Sequence, residues 1–214
     1  MESFCNALAK SVVMDLTAAI RDNKEELSRI DGLIGDGDHG INMGKGFQIC
    51  AQRLDGTQAS FSEALDVLGN ILVSEIGGSM GPLYGNMFIN MAEAVENTET
   101  IDKMAFAGMM DAAVEGIREL SDAAVGDKTM IDVLIPSQKT IHEAVAGGKT
   151  FNEVLDCMQA AATQGRDSTI DMVAKIGRAS RLGERSRGVM DVGAASCCLI
   201  LCTMAESMKK LLNP

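Results

Sequence analysis

Three aspartates in a glycine-rich stretch are the residues of this chain whose types and spacing point most directly to chemistry. Asp31, Asp36 and Asp38 alternate with glycines at positions 32, 35, 37 and 40. Because Asp and Gly are poor interior residues of helices and strands, the stretch 31–40 is predicted to be a tight loop in which the carboxylates converge. Converging carboxylates need a cation between them, and oxygen ligands without nearby Cys select Mg²⁺, Mn²⁺ or Ca²⁺. A solvated acidic turn is the alternative that these residues alone leave open.

Three other motifs overlap this loop, and the sequence argues against each. The GxGxxG spelling at 35–40 resembles a dinucleotide-binding turn, but residues 25–30 before it are amphipathic and helix-like rather than a buried strand. A calcium-binding EF-hand starting at Asp36 would need Glu where Phe47 stands. Gly44-Lys45-Gly46 lacks the Ser or Thr that ends a Walker A loop.

Composition sets limits on the fold and on the partners. The chain has 214 residues, a formal net charge of −11, 3 % aromatic residues and three prolines. These values favour one all-α domain over 1–214 with an aliphatic core, and they disfavour nucleic acid and anionic membrane as partners. A polyanionic ligand would therefore need a metal or a local basic residue.

The six cysteines and the apolar segments favour a cytoplasmic protein. No CxxC pair occurs, so reduced core thiols are expected. The first five residues lack the basic-then-apolar layout of a signal peptide. The longest apolar run, Val192 to Ala205, is too short and too polar to span a bilayer and is predicted to be a buried helix.

Apolar periodicity predicts eight helices and no strands, repeats or linkers. The expected caps are Ser62, Asp127 and Asp191 for the third, sixth and eighth helices. The helices are expected over about 4–30, from 39–42 onward, 61–76, 83–97, 101–121, from Asp127 to 146, 150–167 and 192–212.

The loops 31–40, 77–85, 122–130 and 177–193 precede the even-numbered helices, and alternate loops of an up-and-down bundle lie at the same end. This parity predicts one site at one end, with the second helix offering its N-terminus to an anion beside the metal loop. The turn at 77–85 is either a second phosphate cradle or a plain connector. Four arginines within 178–187 form either a solvated basic loop or a contact for polyphosphate or a partner protein.

Five segments in order resemble the nucleotide-binding L subunit of dihydroxyacetone kinase, over nearly the whole chain. The segments that carry the resemblance are Ile34-Gly35-Asp36-Gly37-Asp38-His39-Gly40 with Asn42, Gly77-Gly78 with Gly81-Pro82-Leu83-Tyr84-Gly85, Gly126-Asp127-Lys128-Thr129-Met130-Ile131-Asp132, Gly177-Arg178-Ala179-Ser180 with Leu182-Gly183-Glu184-Arg185-Ser186, and Asp191 with Gly193-Ala194.

The resemblance implies a closed barrel of eight antiparallel helices with ADP or ATP across its mouth. Asp31, Asp36 and Asp38 would hold two Mg²⁺ ions that bridge the phosphates. The phosphate contacts that it implies are His39, Gly40, Ile41, Asn42, Ser79, Met80 and Gly81. The remaining cofactor-binding residues that it implies, several of them around the nucleoside, are Gly126, Thr129, Met130, Arg178, Asp191, Val192 and Gly193.

By the same resemblance, the chain would act with a K subunit that carries the ketose covalently on a histidine. A phosphotransferase-system subunit would then rephosphorylate the bound ADP, and the chain alone would be inactive. Two alternatives stay open: the nucleotide-binding subunit of an ATP-exchanging triose or tetrulose kinase, and a nucleotide-dependent protein that docks on a regulator such as a transcriptional regulator. No residue of the chain is expected to be catalytic in its own right, and His142 is expected to be structural.

Two residues depart from the family's pattern. Met80 stands where the family usually has Ser before Gly81, and Val192 stands where it has Pro between Asp191 and Gly193. Both bear on the nucleotide contacts and neither touches the three aspartates.

Overall fold

Eight α-helices form a closed ring in the computed structural model, which describes residues 2–212. The helices are α1 (Lys10–Ile34), α2 (His39–Leu54), α3 (Phe61–Glu75), α4 (Met80–Val95), α5 (Lys103–Arg118), α6 (Ile131–Ala146), α7 (Phe151–Ser168) and α8 (Val192–Leu212). Each helix packs against the next one along the chain, and α8 packs back against α1. The predicted all-α barrel of eight antiparallel helices is therefore confirmed. The single domain over 1–214 stays a prediction, and residues 1, 213 and 214 of that range lie outside the described ones.

A short two-stranded ladder lies at the end of the ring away from the four predicted site loops. The strand β1 (Ser3–Cys5) pairs antiparallel with β2 (Thr100–Asp102), and Phe4 stands opposite Ile101. The prediction of a helix from residue 4 and of no strands was wrong here. Phe4 and Ile101 are both buried, so the pairing depends on a contact between distant parts of the chain. A strand of three residues is too short to show the alternation of apolar and polar residues that would predict it.

Hydrogen bonds from one asparagine hold this end together. The Nδ2 of Asn6 donates to the carbonyl oxygens of Val95 and Thr98, each at 2.9 Å, and the Oδ1 of Asn6 accepts from the backbone N–H of Ser62 at 3.1 Å. Asn6 thereby joins the N-terminal segment to the start of α3 and to the end of α4.

The helix caps were predicted correctly for α8 and wrongly for α3 and α6. Asp191 accepts a hydrogen bond from the N–H of Ala194 at 2.8 Å. Helix α3 begins at Phe61 as expected, but its cap is Ser60 rather than Ser62, because Ser60 forms a complete capping box with Glu63. At α6, the carboxylate of Asp132 receives the N–H groups of Thr129 and Gly126 at 2.7 and 2.5 Å, whereas Asp127 caps the preceding turn through Ala124.

Helix α8 is a core element of the ring. By length and composition it could cross a membrane, but 61 % of its apolar window is buried inside the fold, as expected for a helix that packs against both α1 and α7. The six cysteines are all free thiols.

Candidate functional site

A cavity of about 480 Å³ opens at the end of the ring where the even-numbered helices begin. Its walls come from the ends of α1 and α5, the starts of α2, α4, α6 and α8, and the loops between them. The predicted site residues that line it are Asp31, Asp36, Asp38, His39, Asn42, Ser79, Met80, Thr129, Met130, Arg178, Asp191, Val192 and Gly193. The parity of the loops thus brings all four predicted segments to one cavity.

The three aspartates converge at one side of this cavity. Ligand oxygens of Asp31, Asp36 and Asp38 all lie within 4.8 Å of one another. Asp31 is 9 % exposed, whereas Asp36 and Asp38 are exposed at the cavity mouth. Three hard oxygen donors at this separation fit a divalent cation such as Mg²⁺, which prefers carboxylates and water as ligands.

The structure corrects the expectation that all three aspartates lie in a loop. Helix α1 continues through Gly32 to Ile34, so Asp31 sits in its last turn, and the backbone N–H of Gly35 bonds the carbonyl of Asp31 at 2.6 Å. A side chain at position 35 would collide with the Asp31 carboxylate, which lies 2.1 Å from the position a Cβ would take. Packing of α1 in the ring outweighs the weak helix propensity of Asp31-Gly32.

A salt bridge links the metal-binding candidates to the arginine loop. The guanidinium of Arg178 pairs with the carboxylate of Asp36. One arginine offsets one of three negative charges, so the cluster still favours a cation. Gly177, Arg178 and Ala179 line the cavity, so this part of the arginine-rich segment 178–187 is not a basic loop free in solvent.

The start of α2 supplies backbone donors beside the carboxylates. The first N–H of the helix, from His39, donates to Asp31 at 3.2 Å, and that of Asn42 returns to Asp38 within the helix at 2.9 Å. The N–H groups of Gly40 and Ile41 fall between these two, among those that an α-helix leaves without an intrahelical partner.

The side chains at positions 40 and 41 do not line the cavity. A Cβ at Gly40 would lie 1.8 Å from the carbonyl oxygen of Lys24, so glycine is what allows α2 to start against α1. Ile41 points outward and is 64 % exposed. Both residues can therefore reach a ligand only through the backbone.

The Gly-rich turn is part of the cavity wall. Gly77, Gly78, Ser79 and Met80 line it, and α4 begins at Met80, three residues before the expected start. Pro82 is tolerated because it lies in the first turn, where a missing N–H costs nothing. Gly81 does not line the cavity: a Cβ there would lie 2.1 Å from the carbonyl oxygen of Ile76.

The opposite wall is formed by the starts of α6 and α8. Met130 and Gly193 pack together, since a Cβ at Gly193 would lie 3.4 Å from the backbone N of Met130. Burial raises the pKa of Asp191 to about 7, although the Ala194 N–H and the Lys128 ammonium both pull it down. Gly126 stands back from the cavity, with its N–H engaged by Asp132.

A buried chain of hydrogen bonds behind the cavity was not predicted. The Nε2 of His39 lies 2.9 Å from the Oγ of Ser196, which lies 2.7 Å from the hydroxyl of Tyr84, and Tyr84 reaches the carbonyl of Gly193 at 2.9 Å. Burial lowers the pKa of His39 to about 4, so its ring is neutral at pH 7. Tyr84 is the only tyrosine of the protein. A single polar aromatic residue within an apolar helix was the sequence signal from which this series of hydrogen bonds could have been predicted.

His142 lies outside the cavity, as expected. Its Nε2 lies 2.7 Å from the carboxylate of Asp111, which also accepts from Gln138 at 2.6 Å. This contact joins α5 to α6 on the outside of the ring.

Comparisons with known proteins agree on the family of this chain. A family model described as the DAK2 domain matches residues 33–206. The "PEP-dependent dihydroxyacetone kinase 1, ADP-binding subunit DhaL" of Listeria innocua is 38 % identical over 194 residues, which is 90 % of this chain and 92 % of that protein. The "D-erythrulose kinase" of Mycolicibacterium smegmatis is 32 % identical over 89 % of this chain, which spans 33 % of that protein.

A solved structure has the same fold. The dihydroxyacetone kinase from C. freundii, crystallised in complex with AMP-PNP and Mg²⁺, is similar over 94 % of this chain with a TM-score of 0.69 and 26 % identity. The match covers 34 % of that longer chain.

Proposed function

The chain belongs to the DAK2 domain family, and from that membership we propose that it is the ADP/ATP-binding subunit of a dihydroxyacetone kinase. In this role it holds the nucleotide for phosphoryl transfer to dihydroxyacetone on a separate K subunit. The observation that carries the proposal is the convergence of Asp31, Asp36 and Asp38 with the first turn of α2 at one cavity. The L. innocua relative is an ADP-binding subunit by name, and the C. freundii relative was crystallised with AMP-PNP and Mg²⁺.

The geometry of the site suits a nucleoside diphosphate or triphosphate in a strongly acidic protein. Phosphoryl transfer depends mostly on positioning and on neutralisation of charge. Asp31, Asp36 and Asp38 would hold two Mg²⁺ ions, which when bound would supply positive charge against the phosphates. The N–H groups of Gly40 and Ile41 would bind phosphate oxygens at the positive end of the α2 dipole.

The rest of the proposed cofactor-binding set would fix the nucleotide around this centre. Apolar side chains of Met80, Leu83, Ile117 and Met130 line the cavity and would take the flat base while excluding water. Asp191 to Gly193 would lie along the nucleoside at the start of α8. Met80 in place of the family's Ser removes a hydroxyl at the phosphate end, so the backbone there would carry the contact, helped by the hydroxyl of Ser79.

Exposed apolar side chains at the site end of the ring support the proposal of a partner subunit. Five of the exposed large hydrophobic side chains belong to the site end of the ring, and they are 41–64 % exposed: Leu33, Ile41, Leu120, Val125 and Ile176. Exposed apolar side chains at this end fit a partner protein that covers the cavity mouth during transfer. We propose that the chain acts in the cytoplasm. A K subunit and a phosphotransferase-system subunit would dock on it in turn.

One second candidate has an observation in its favour. The erythrulose kinase relative supports an ATP-exchanging ketose kinase that acts on a four-carbon sugar. The two candidates differ in how long the nucleotide stays. ADP that survives extensive dialysis favours rephosphorylation in place, whereas fast exchange with ATP favours the second candidate.

Calorimetry of ADP binding with and without Mg²⁺ tests the site. Asp36→Asn and Asp38→Asn should each weaken Mg²⁺-dependent ADP binding by about tenfold or more, the scale of losing one charged contact. Asp55→Asn, an exposed aspartate beyond the far end of α2, is the matched control and should bind like the wild type. ADP binding that is insensitive to EDTA in the wild-type chain would refute the proposal.

A further inference from the structure

The side chain of Lys128 is the most deeply buried positive charge near the cavity. Lys128 is 1 % exposed and is the one non-glycine residue within 2–212 that has a positive φ, at 65°. It directly precedes Thr129 and Met130 in the cavity wall. A lysine is almost never fully buried without a partner, so its surroundings need a physical explanation.

Four backbone carbonyl oxygens surround the ammonium. Nζ of Lys128 lies 2.6, 3.1, 2.8 and 2.5 Å from the carbonyl oxygens of Thr169, Met172, Ser186 and Val189. An ammonium has three N–H donors, so this cage satisfies all of them. Two of the oxygens come from the exit of α7, whose C-terminal end carries a negative partial charge.

The four carbonyls belong to the two ends of one segment. Residues 169–172 leave α7, residues 186–189 lead towards α8, and the arginine loop lies between them. The ammonium therefore joins both ends of this loop at one point. Two further bonds reinforce the junction: Gly188 N–H to the carbonyl of Ile170 at 2.8 Å, and Ala174 N–H to the Oγ of Ser186 at 2.9 Å.

The segment closed in this way carries two of the proposed ligand contacts. Arg178 lies within the segment and pairs with Asp36. Asp191 lies at the end of the segment, and its backbone N–H donates to the Oγ1 of Thr169 at 3.1 Å. Lys128 and Asp191 also attract each other electrostatically. Removing the ammonium would leave several buried carbonyls without donors, and water or a rearranged loop would have to satisfy them.

Taking the proposed function as given, we propose that Lys128 is a positioning residue for the nucleotide site. Its ammonium is the internal cation around which residues 169–191 fold, and it acts on the nucleotide through Arg178 and Asp191. Lys128 lines the cavity, but its Nζ is held by the four carbonyl oxygens, so the ammonium would not contact the reacting groups. The cage needs a compact primary ammonium, because only three N–H donors on a small cation match this set of carbonyls.

Chemical rescue tests this role directly. Lys128→Gly introduces no backbone strain, because glycine readily adopts a φ of 65°. The lost side chain leaves a space with the shape of n-butylammonium. The variant should bind Mg·ADP about tenfold or more weakly, the scale of losing a buried charged hydrogen-bond set. Added n-butylammonium should restore much of the affinity at constant ionic strength, whereas tetramethylammonium, which has no N–H, should restore none.

A second variant and a direct probe of the loop accompany the rescue. Lys128→Met fills the space but donates nothing, so it should lose affinity and respond to no amine. Trypsin should cut after the arginines of 178–187 at least several-fold faster in both variants, while far-ultraviolet circular dichroism stays that of eight folded helices. Lys139→Met, which removes an exposed lysine of α6, should behave like the wild type in both assays.

The outcomes separate this role from the proposed function. Wild-type affinity and wild-type trypsin rates in both Lys128 variants would overturn the role of Lys128. Loss of all helical signal in both variants, without recovery in n-butylammonium, would overturn it too. A wild-type chain that fails to bind Mg·ADP would instead refute the proposed function, and the trypsin rates would still judge whether Lys128 holds the loop.

Discussion

The carboxylate of Asp191 shows how one residue can serve the fold and the site together. It caps α8, lines the cavity and lies near the caged ammonium of Lys128. Its burial disfavours the charged form, which raises its pKa to about 7. The protonation state of this group therefore changes close to physiological pH, whereas an ordinary aspartate has a pKa of about 4.

The raised pKa of Asp191 predicts a specific dependence of stability on pH. The folded chain holds this proton more tightly than the unfolded chain. The stabilisation it gives is therefore complete below about pH 4 and is lost as the pH rises through about 7. Asp191→Asn keeps the cap but cannot titrate, so its free energy of unfolding should gain on the wild type by up to about 1.4 kcal/mol per pH unit over this window.

Urea unfolding at several pH values between 4 and 8 measures this difference. Asp122→Asn, in the exposed loop after α5, is the control and should follow the wild type at every pH. Parallel stability profiles for the wild type and Asp191→Asn would show that Asp191 titrates normally.

The residue types at the site could be predicted from the sequence, but their supports could not. The sequence identifies Asp36, Asp38 and Arg178 as candidate site residues, because charged residues next to glycines have few structural uses. Lys128 and Ser196 look ordinary in the sequence. Lys128 depends on carbonyl groups 41 to 61 residues away. Ser196 depends on the Tyr84 hydroxyl and the His39 ring, which are 112 and 157 residues away.

Close approaches between helices place the walls of the site. At Gly165 of α7, a Cβ would lie 2.2 Å from the backbone carbonyl of Asp132, whose carboxylate accepts the N–H groups of Gly126 and Thr129 just before α6. Because the obstacle is backbone rather than a flexible side chain, the helices would have to move apart to accept it. The spacing of α6 and α7 thus sets where Thr129 and Met130 stand.

Alanine at two helical glycines should have opposite effects on stability. Gly165→Ala should destabilise the fold by about 1–3 kcal/mol through overpacking. Gly108→Ala, in α5, meets no atom within 4 Å and should stabilise it by about 0.5–1 kcal/mol through helix propensity. Equilibrium denaturation of the two variants beside the wild type measures both values, and equal effects would contradict this account of α6 and α7.

The boundaries of the helices were predictable only where local chemistry decides them. Asp191 caps α8 as expected because an acidic residue just before an apolar run is a strong local signal. The start of α4 was placed too late because Gly81-Pro82 was read as a break, although proline is acceptable in a first turn and glycine is required beside Ile76. The strand at Ser3–Cys5 depends on Thr100–Asp102, which no local pattern reveals.

Closure of the ring makes the whole molecule respond to the site. Helix α8 begins at the cavity and closes the ring by packing against both α7 and α1. The cavity residues Asp191 and Gly193 lie at the start of this same helix. The far end is tied by Asn6 and the two short strands. A ligand at one end should therefore stabilise contacts at the other.

ADP with Mg²⁺ should raise the stability of the entire fold as one unit. At a free concentration of 100 times its Kd, ADP should add about 2.7 kcal/mol to the free energy of unfolding. Hydrogen exchange should slow by the corresponding factor of about 100. This slowing is expected for the most protected amides of α2 at the site and also for those around Asn6. EDTA should cancel both effects, and slowing confined to the cavity end would contradict unfolding as one unit.

The architecture was the most predictable level of this protein. Helical periodicity gave eight segments, and the position of every distinctive loop before an even-numbered helix placed the loops together without any knowledge of side-chain contacts. Parity succeeds because it depends only on the number and direction of helices, which tolerate boundary errors of a few residues. Distances between side chains depend on packing, and packing is not readable from one chain's pattern.

This parity restricts how such a ring can change its size over evolution. Gain or loss of a single helix would reverse the direction of every later one and carry all later ligand-binding loops to the opposite face. Gain or loss of a helical hairpin would leave all of them in place. Descendants of this architecture should therefore vary by hairpins, or by extensions of its loops, while the count of helices between any two ligand-binding segments stays even or odd as it is now.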